Sequence, residues 1–214
     1  MPNPANRGDA ESRLSEAIAG IHQQALAQIR ERIGDKPDEI QFNDAFWIAI
    51  ASLYREAIRE PLRDAYLDAV VGMNAELGQT LNLDSEAAAW ADGYSQTLAG
   101  QLVDTRRGFV SDAIRQYNDK GWTIDDFMAY LLFYFGVSNA AMIAVTEITN
   151  AISEAERQFA TLLQLIVGTV LAGYIRTAQD DRVCPICAPL DGMLAAVAGY
   201  PPFHHSCRCE IIWS

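Results

Sequence analysis

Residues 184–187 read Cys184-Pro185-Ile186-Cys187, and residues 204–209 read His204-His205-Ser206-Cys207-Arg208-Cys209. Together they hold all 4 cysteines of a chain of 214 residues, and they decide how the C-terminal end is read. A Cys-x2-Cys pair makes a tight knuckle that aims two sulfurs at one ion while backbone amides hydrogen-bond the thiolates. Pro185 suits such a turn. His204 and Cys207 repeat the spacing, and Cys209 would share a strand face with Cys207. With His205 as a weaker sixth donor, the cluster offers more ligands than a tetrahedral ion needs. The favoured set is Cys184, Cys187, His204 and Cys207, with Cys209 the first substitute. Four filled positions leave no place for a reactive water, so the centre expected here is a closed, structural zinc site that supplies folding free energy to a small module.

Upstream of the knuckle the pattern changes. From residue 168 onward Thr169, Val170, Leu171, Tyr174 and Ile175 favour strand, with glycines that interrupt helix. Before that, everything reads as helix. Leu14, Ala17, Ile18, Ile21, Ala25, Ile29 and Ile33 recur every three to four residues, an amphipathic helix over 11–33 ended by Gly34 and Pro37. Its His22 reads as a surface residue. A second helix opens at an Asn43 or Asp44 cap, and Pro61 is expected to kink or divide it. A third begins at Ser85 with Ala88, Trp90, Tyr94, Leu98 and Leu102 on one face, and a fourth at Asp104. Thr123 and Asp126 form a capping arrangement ahead of the apolar run 127–135. Ser138 is expected to cap a helix with Ala141, Ala144, Val145, Ile148, Ala151 and Ile152 inward and Thr146, Glu147 and Asn150 partly off that face. The fold class expected is mainly α: a multi-helix domain over 1–137, then a helix and a small α+β zinc module with a short antiparallel sheet over 138–214.

Composition narrows the function. Half the residues are hydrophobic, enough for a real core, and 28 acidic against 16 basic side chains give a net charge of −12, which opposes a non-specific grip on nucleic acid or anionic membrane. The densest cationic pair, Arg106 and Arg107, makes no patch. The uncharged stretch 159–175 is short for a span and carries Thr161, Gln164, Gly168, Thr169 and Gly173, so burial in a domain, not a membrane, is expected. The first ten residues lack a basic segment followed by an apolar run, which points to a reducing cytosol, where clustered cysteines serve as ligands rather than bridges. Asp180, Asp181 and Asp191 flank the knuckle as turn formers that cap amides rather than as acid–base groups. Phosphate-binding glycine loops and the common hydrolase motifs are missing, so no enzyme is expected.

One resemblance is specific. Thr177-Ala178, an Asp180-Asp181-Arg182-Val183 turn, Cys184-Pro185-Ile186-Cys187, Leu190-Asp191-Gly192, then Pro201-Pro202-Phe203-His204 and Cys207-Arg208-Cys209 resemble the C-terminal signature of the phage Mu F-like head-morphogenesis family. Ala144-Val145-Thr146-Glu147 looks like the family's Ile-Ala-Arg-Thr-Glu helix at the expected distance upstream. The likeness runs over residues 90–213, closely over the last 80 or so. Two departures stand out: Val145 replaces the usual arginine, and His205-Ser206 replaces Pro-Asn. The resemblance implies a minor head protein of a phage or prophage: a virion and procapsid-interior component made in the host cytoplasm, associated with the portal protein and other head proteins, acting in head morphogenesis or DNA delivery. The runner-up is a zinc-ribbon-like adaptor that binds nucleic acid. Against it, Arg176, Arg182 and Arg208 are balanced by Asp180, Asp181, Asp191 and Glu210. An effector enzyme fused to such a protein would need more chain than this.

Overall fold

The computed structural model describes residues 6–33, 36–37, 42–179 and 183–214. Five helices, α1 (Arg7–Arg32), α2 (Asp44–Leu77), α3 (Asp84–Lys120), α4 (Ile124–Tyr134) and α5 (Val137–Val167), precede strand β1 (Gly173–Arg176), a 3-10 turn (Ala188–Leu190), the short α6 (Ala195–Ala198) and strand β2 (Glu210–Trp213). The chain is mainly helical with a C-terminal two-stranded antiparallel sheet, as its pattern implies. α2 lies between α1 and α3, α5 crosses both α1 and α2, and α4 packs on α3. A single apolar core runs from Leu14 and Ile18 through Tyr54, Ile58 and Leu62 to Ala144 and Phe159, and continues into Cys187, Cys207 and Ile211. The small module therefore shares its interior with the bundle.

Helix starts follow local chemistry where a cap is present. The Asn43 side chain accepts the Phe46 N–H at 3.2 Å and opens α2. Thr123 and Asp126 complete a reciprocal capping box on α4, with the Asp126 N–H donating to Thr123 Oγ1 at 3.1 Å and the Thr123 N–H to Asp126 Oδ2 at 2.9 Å. Elsewhere the structure corrects the pattern. α2 passes through Pro61 as one helix, so of the expected kink or division the division does not occur. No new helix begins at Asp104, which lies inside α3. α5 starts at Val137 after Gly136, so Ser138 is not its cap. Ala88 is exposed, and the inward stripe of α3 is instead Ala87, Ala91, Leu98 and Leu102. The expected stop of α1 at Gly34 lies outside the described residues.

Two further corrections concern burial. His22 is no surface residue: it is fully buried, edge-on to Tyr54 and Phe135. Its Nε2 lies 3.1 Å from Nη2 of Arg106, itself 2% exposed and also donating to Asn139 Oδ1. The stretch 159–175 is only partly interior. Phe159 and Leu163 are buried, but Leu165, Ile166, Val167 and Val170 stand open, as do Leu132, Phe133 and Val137 at the α4–α5 corner. By length and composition alone, Ile124–Val167 is long and apolar enough to cross a membrane, and little of its most apolar part is buried. Gly136 breaks that stretch into two helices.

The strand expected from residue 168 is shorter than its propensities suggest. α5 persists to Val167, and Gly168 ends it in the left-handed region (φ 76°) with its N–H on Gln164 O. Pairing then runs from Gly173↔Trp213 to Arg176↔Glu210, extended by a reciprocal Ala172–Ser214 pair at 2.9 and 3.0 Å. Residues 192–194 line the other edge of β1 through Ile175 N–H to Met193 O and Gly192 N–H to Ile175 O, both 2.8 Å. Gly173 is fixed by packing: a Cβ there would meet Ile211 Cγ2 at 2.8 Å and the Trp213 ring at 3.0 Å. Gly173→Ala is expected to destabilise the protein by roughly 1–3 kcal/mol through overpacking, read as a lower denaturant midpoint. An unchanged midpoint would mean that Trp213 is free to move aside.

Candidate metal centre

The knuckle is built by its backbone. The Cys187 N–H points at Cys184 O (3.1 Å) and Cys184 Sγ (3.4 Å), and the Ala188 N–H closes on Cys184 O at 3.0 Å. These bonds bring both sulfurs to the inside of one turn. The second turn closes through Cys207 N–H to His204 O at 3.2 Å, with Ser206 between them at φ 59°.

The two turns face each other. His204 Nε2 lies 3.0 Å from both Cys184 Sγ and Cys187 Sγ, and Cys187 Sγ lies 3.9 Å from Cys207 Sγ. The donors form two triads, Cys184–Cys187–His204 and Cys187–Cys207–Cys209, each with its ligand atoms within 4.8 Å of one another. Cys187 belongs to both. The cluster of Cys184, Cys187, His204, Cys207 and Cys209 could hold a metal ion. Bonds of about 2.3 Å from a tetrahedral ion set sulfur–sulfur edges of roughly 3.8 Å, which the Cys187–Cys207 separation meets. The imidazole sits closer to the thiols than the roughly 3.6 Å a nitrogen–sulfur edge would take, so loading would move the ring outward by about half an ångström. His204 Nδ1 lies 2.7 Å from His205 O; an Nδ1–H donated there leaves Nε2 free as the ligand atom, the usual outer support of a metal-bound imidazole. His205 is exposed; it brings its carbonyl to the centre, and its ring belongs to neither triad.

Electrostatics favour a cation. Cys187, Cys207 and Cys209 are buried and unbridged. Burial pushes the Cys187 thiol up to about 12. A hydrogen bond from Cys209 holds Cys207 down at about 5 and raises Cys209 in turn. Burial opposes ionisation of Cys184, yet the amides of Cys187 and Ile186 hold its thiol below the ordinary range. Hydrogen bonds thus concentrate negative charge on part of the cluster, while burial opposes it on the rest. A divalent cation would offset the burial penalty and deprotonate the remaining thiols.

The surrounding side chains are structural. Asp191 Oδ1 accepts the Thr177 N–H at 2.9 Å, the Thr177 hydroxyl at 3.1 Å and Gln179 Nε2 at 2.9 Å; the Thr177 amide holds its carboxyl below the usual range. That is the amide-capping role read for it. Asp180, Asp181 and Arg182 lie outside the described residues. Arg176 is tied to Glu210 at 2.6 Å. Glu147, expected partly off the inward face of its helix, is paired within the protein: Tyr94 Oη donates to its Oε2 at 2.7 Å, and burial raises its carboxyl above the ordinary value. Pattern reading also missed two residues outright, Thr149 and Arg7. The Thr149 hydroxyl lies 2.7 Å from Cys207 O, and Arg7 Nη2 donates to it at 2.7 Å. A threonine between Ile148 and Ala151 carries no signal of such a role in sequence.

No protein-family model, curated protein or solved structure matches the chain.

Proposed function

We propose that this protein is a phage minor head protein of the Mu F-like head-morphogenesis type, a structural and assembly factor that docks on the portal inside the procapsid and whose C-terminal module closes around one zinc ion. The observation that carries the reading is where the two separate stretches of resemblance meet. Thr146, in the Ala144–Glu147 stretch, accepts the Ser206 N–H at 2.8 Å; Ser206 lies between His204 and Cys207 of the cysteine signature. Segments sixty residues apart in sequence are joined in one unit, which supports treating them as parts of a single motif. A cluster with enough donors to fill every position of a tetrahedral ion suits a structural role. The open apolar groups Leu132, Phe133 and Val137 suit docking on another protein. The nucleic-acid adaptor has less support, since Arg176 is neutralised by Glu210 and the net charge is −12.

The deciding experiment mixes the purified chain with the portal protein encoded in the same phage or prophage genome. Co-migration in size-exclusion chromatography, from a gene adjoining the portal gene, is the expected result; absence of both overturns the assignment. Native mass spectrometry before and after a strong chelator tests the ion separately. One zinc per chain is expected, and a metal-free mass lowered by the hydrogens of a disulfide would overturn the zinc centre.

A further inference from the structure

We propose that Arg7 is a positioning residue for the metal centre, and that ion binding at the Cys–His cluster is coupled through Thr149 to the seating of the first turn of α1. The inference rests on the cluster holding an ion.

The coupling is a chain of buried hydrogen bonds. Arg7 is 6% exposed although it stands in the first turn of a helix. Its Nε donates to Glu11 Oε1 at 2.8 Å, which fixes the plane of the guanidinium, and its Nη2 donates to Thr149 Oγ1 at 2.7 Å. Thr149, on α5, is 1% exposed. Its hydroxyl has one proton and two acceptors in reach, Cys207 O at 2.7 Å and Val145 O at 2.8 Å. Val145 O already receives the i→i−4 helix bond, so the Cys207 carbonyl has the greater need. A cation donating to the hydroxyl oxygen polarises the hydroxyl and strengthens the bond it makes onward.

The target of that bond matters. Cys207 follows Ser206, a non-glycine residue at φ 59°, a conformation that costs of order 1 kcal/mol and persists only where its surroundings fix it. Thr146 Oγ1 takes the Ser206 N–H and Thr149 gives its proton to the Cys207 carbonyl. Two threonines one turn apart on α5 thereby clamp both ends of the pair of residues that aims the Cys207 sulfur at Cys187. Among the described residues, of these two threonines only Thr149 is braced by a side chain from a third element, and the brace is Arg7. Outer groups of this kind orient metal ligands. Because the network spans α1, α5 and the His204–Cys207 turn, whatever the ion gains from an ordered Arg7, Arg7 gains from the ion.

The test uses the full chain with zinc as the probe, in competition with a chromophoric chelator. Arg7→Met keeps the aliphatic stem and removes the donors; Thr149→Val removes the hydroxyl from a different helix; Thr149→Ser keeps it. The first two are expected to weaken zinc binding by about 10- to 100-fold, with Thr149→Ser close to wild type. In hydrogen exchange, stripping zinc from the wild-type chain is expected to speed exchange at the first turn of α1 more than in the middle of α3. Wild-type affinity in both Arg7→Met and Thr149→Val, or α1 exchange indifferent to zinc, overturns the coupling while leaving the centre intact. A wild-type chain that takes up no zinc overturns the centre and the coupling with it. Should Arg7→Met fold poorly by circular dichroism, Thr149→Val and Thr149→Ser decide the matter alone.

Discussion

Cys187→Ser is expected to weaken binding of the proposed ion and loosen the C-terminal module, with a far larger effect than Cys209→Ser. Cys187 Sγ is the donor common to the two triads, 3.0 Å from His204 Nε2 and 3.9 Å from Cys207 Sγ, so its loss leaves neither set complete. Structural zinc contributes roughly 10–16 kcal/mol of apparent binding free energy, shared over four ligands. Removing a quarter of it weakens binding by roughly a hundred- to a thousand-fold. Cys209→Ser leaves Cys184, Cys187, His204 and Cys207 in place and is expected to cost tenfold or so. Zinc content per chain, with hydrogen exchange over residues 173–214, reads both variants. A Cys187→Ser protein that keeps one ion and wild-type protection would show that the cluster does not turn on this sulfur. The reverse ranking, with Cys209→Ser the more damaging, would assign the fourth position to Cys209 in place of His204.

This ranking is not written in the sequence. Sequence spacing identified the donors, because Cys-x2-Cys and His-x2-Cys are consequences of turn geometry, but which donor is shared depends on how two loops face one another. The same division holds along the chain. α1 and α4 were legible because apolar periodicity and a capping box are local. α3 was not: the polar run Asp104-Thr105-Arg106-Arg107 reads as a helix start, whereas Arg106 points into the core against His22 and keeps the buried stripe continuous under a polar name. Pro61 does not divide its helix. Tyr54, Ile58, Leu62, Ala65 and Tyr66 hold one buried face across it, and burial of several such side chains, about 1.5–3 kcal/mol each, outweighs the roughly 3 kcal/mol cost of an interior proline. His22 and Thr149 were missed for a common reason. A polar residue on an apolar stripe is read outward by default, and only its partners, Arg106 in one case and Arg7 with Cys207 in the other, reverse that.

His22 supplies the second large effect, an acid-side loss of stability removed by His22→Gln. The ring is fully buried and its Nε2 faces the Arg106 guanidinium at 3.1 Å, so it must accept and stay neutral. Burial, and then the charge of Arg106, push its pKa down to about 3, against about 6.5 in an unfolded chain. Between those values the unfolded state binds a proton that the native state refuses, so stability is full above about pH 6.5 and falls as the pH drops towards 3. The slope is about 1.4 kcal/mol per pH unit, for a total on the order of 5 kcal/mol. Glu156 acts with the opposite sign. Burial on α5 beside Trp213 pushes its carboxyl up to about 8 from an ordinary 4.5, so the native state holds a proton that the unfolded state loses, and stability falls as the pH rises from about 4.5 to 8. The two slopes oppose each other between about pH 4.5 and 6.5 and separate outside that window. Denaturant titrations of the wild type and His22→Gln from pH 7 to 4 isolate the histidine, because protonation of the thiol cluster and of Glu156 is common to both proteins. The difference in unfolding free energy is expected to shift steadily towards His22→Gln as the pH falls. A difference that stays constant over those three units would mean that His22 takes up its proton in the folded core as readily as in the unfolded chain, and that Arg106 yields its place beside the ring.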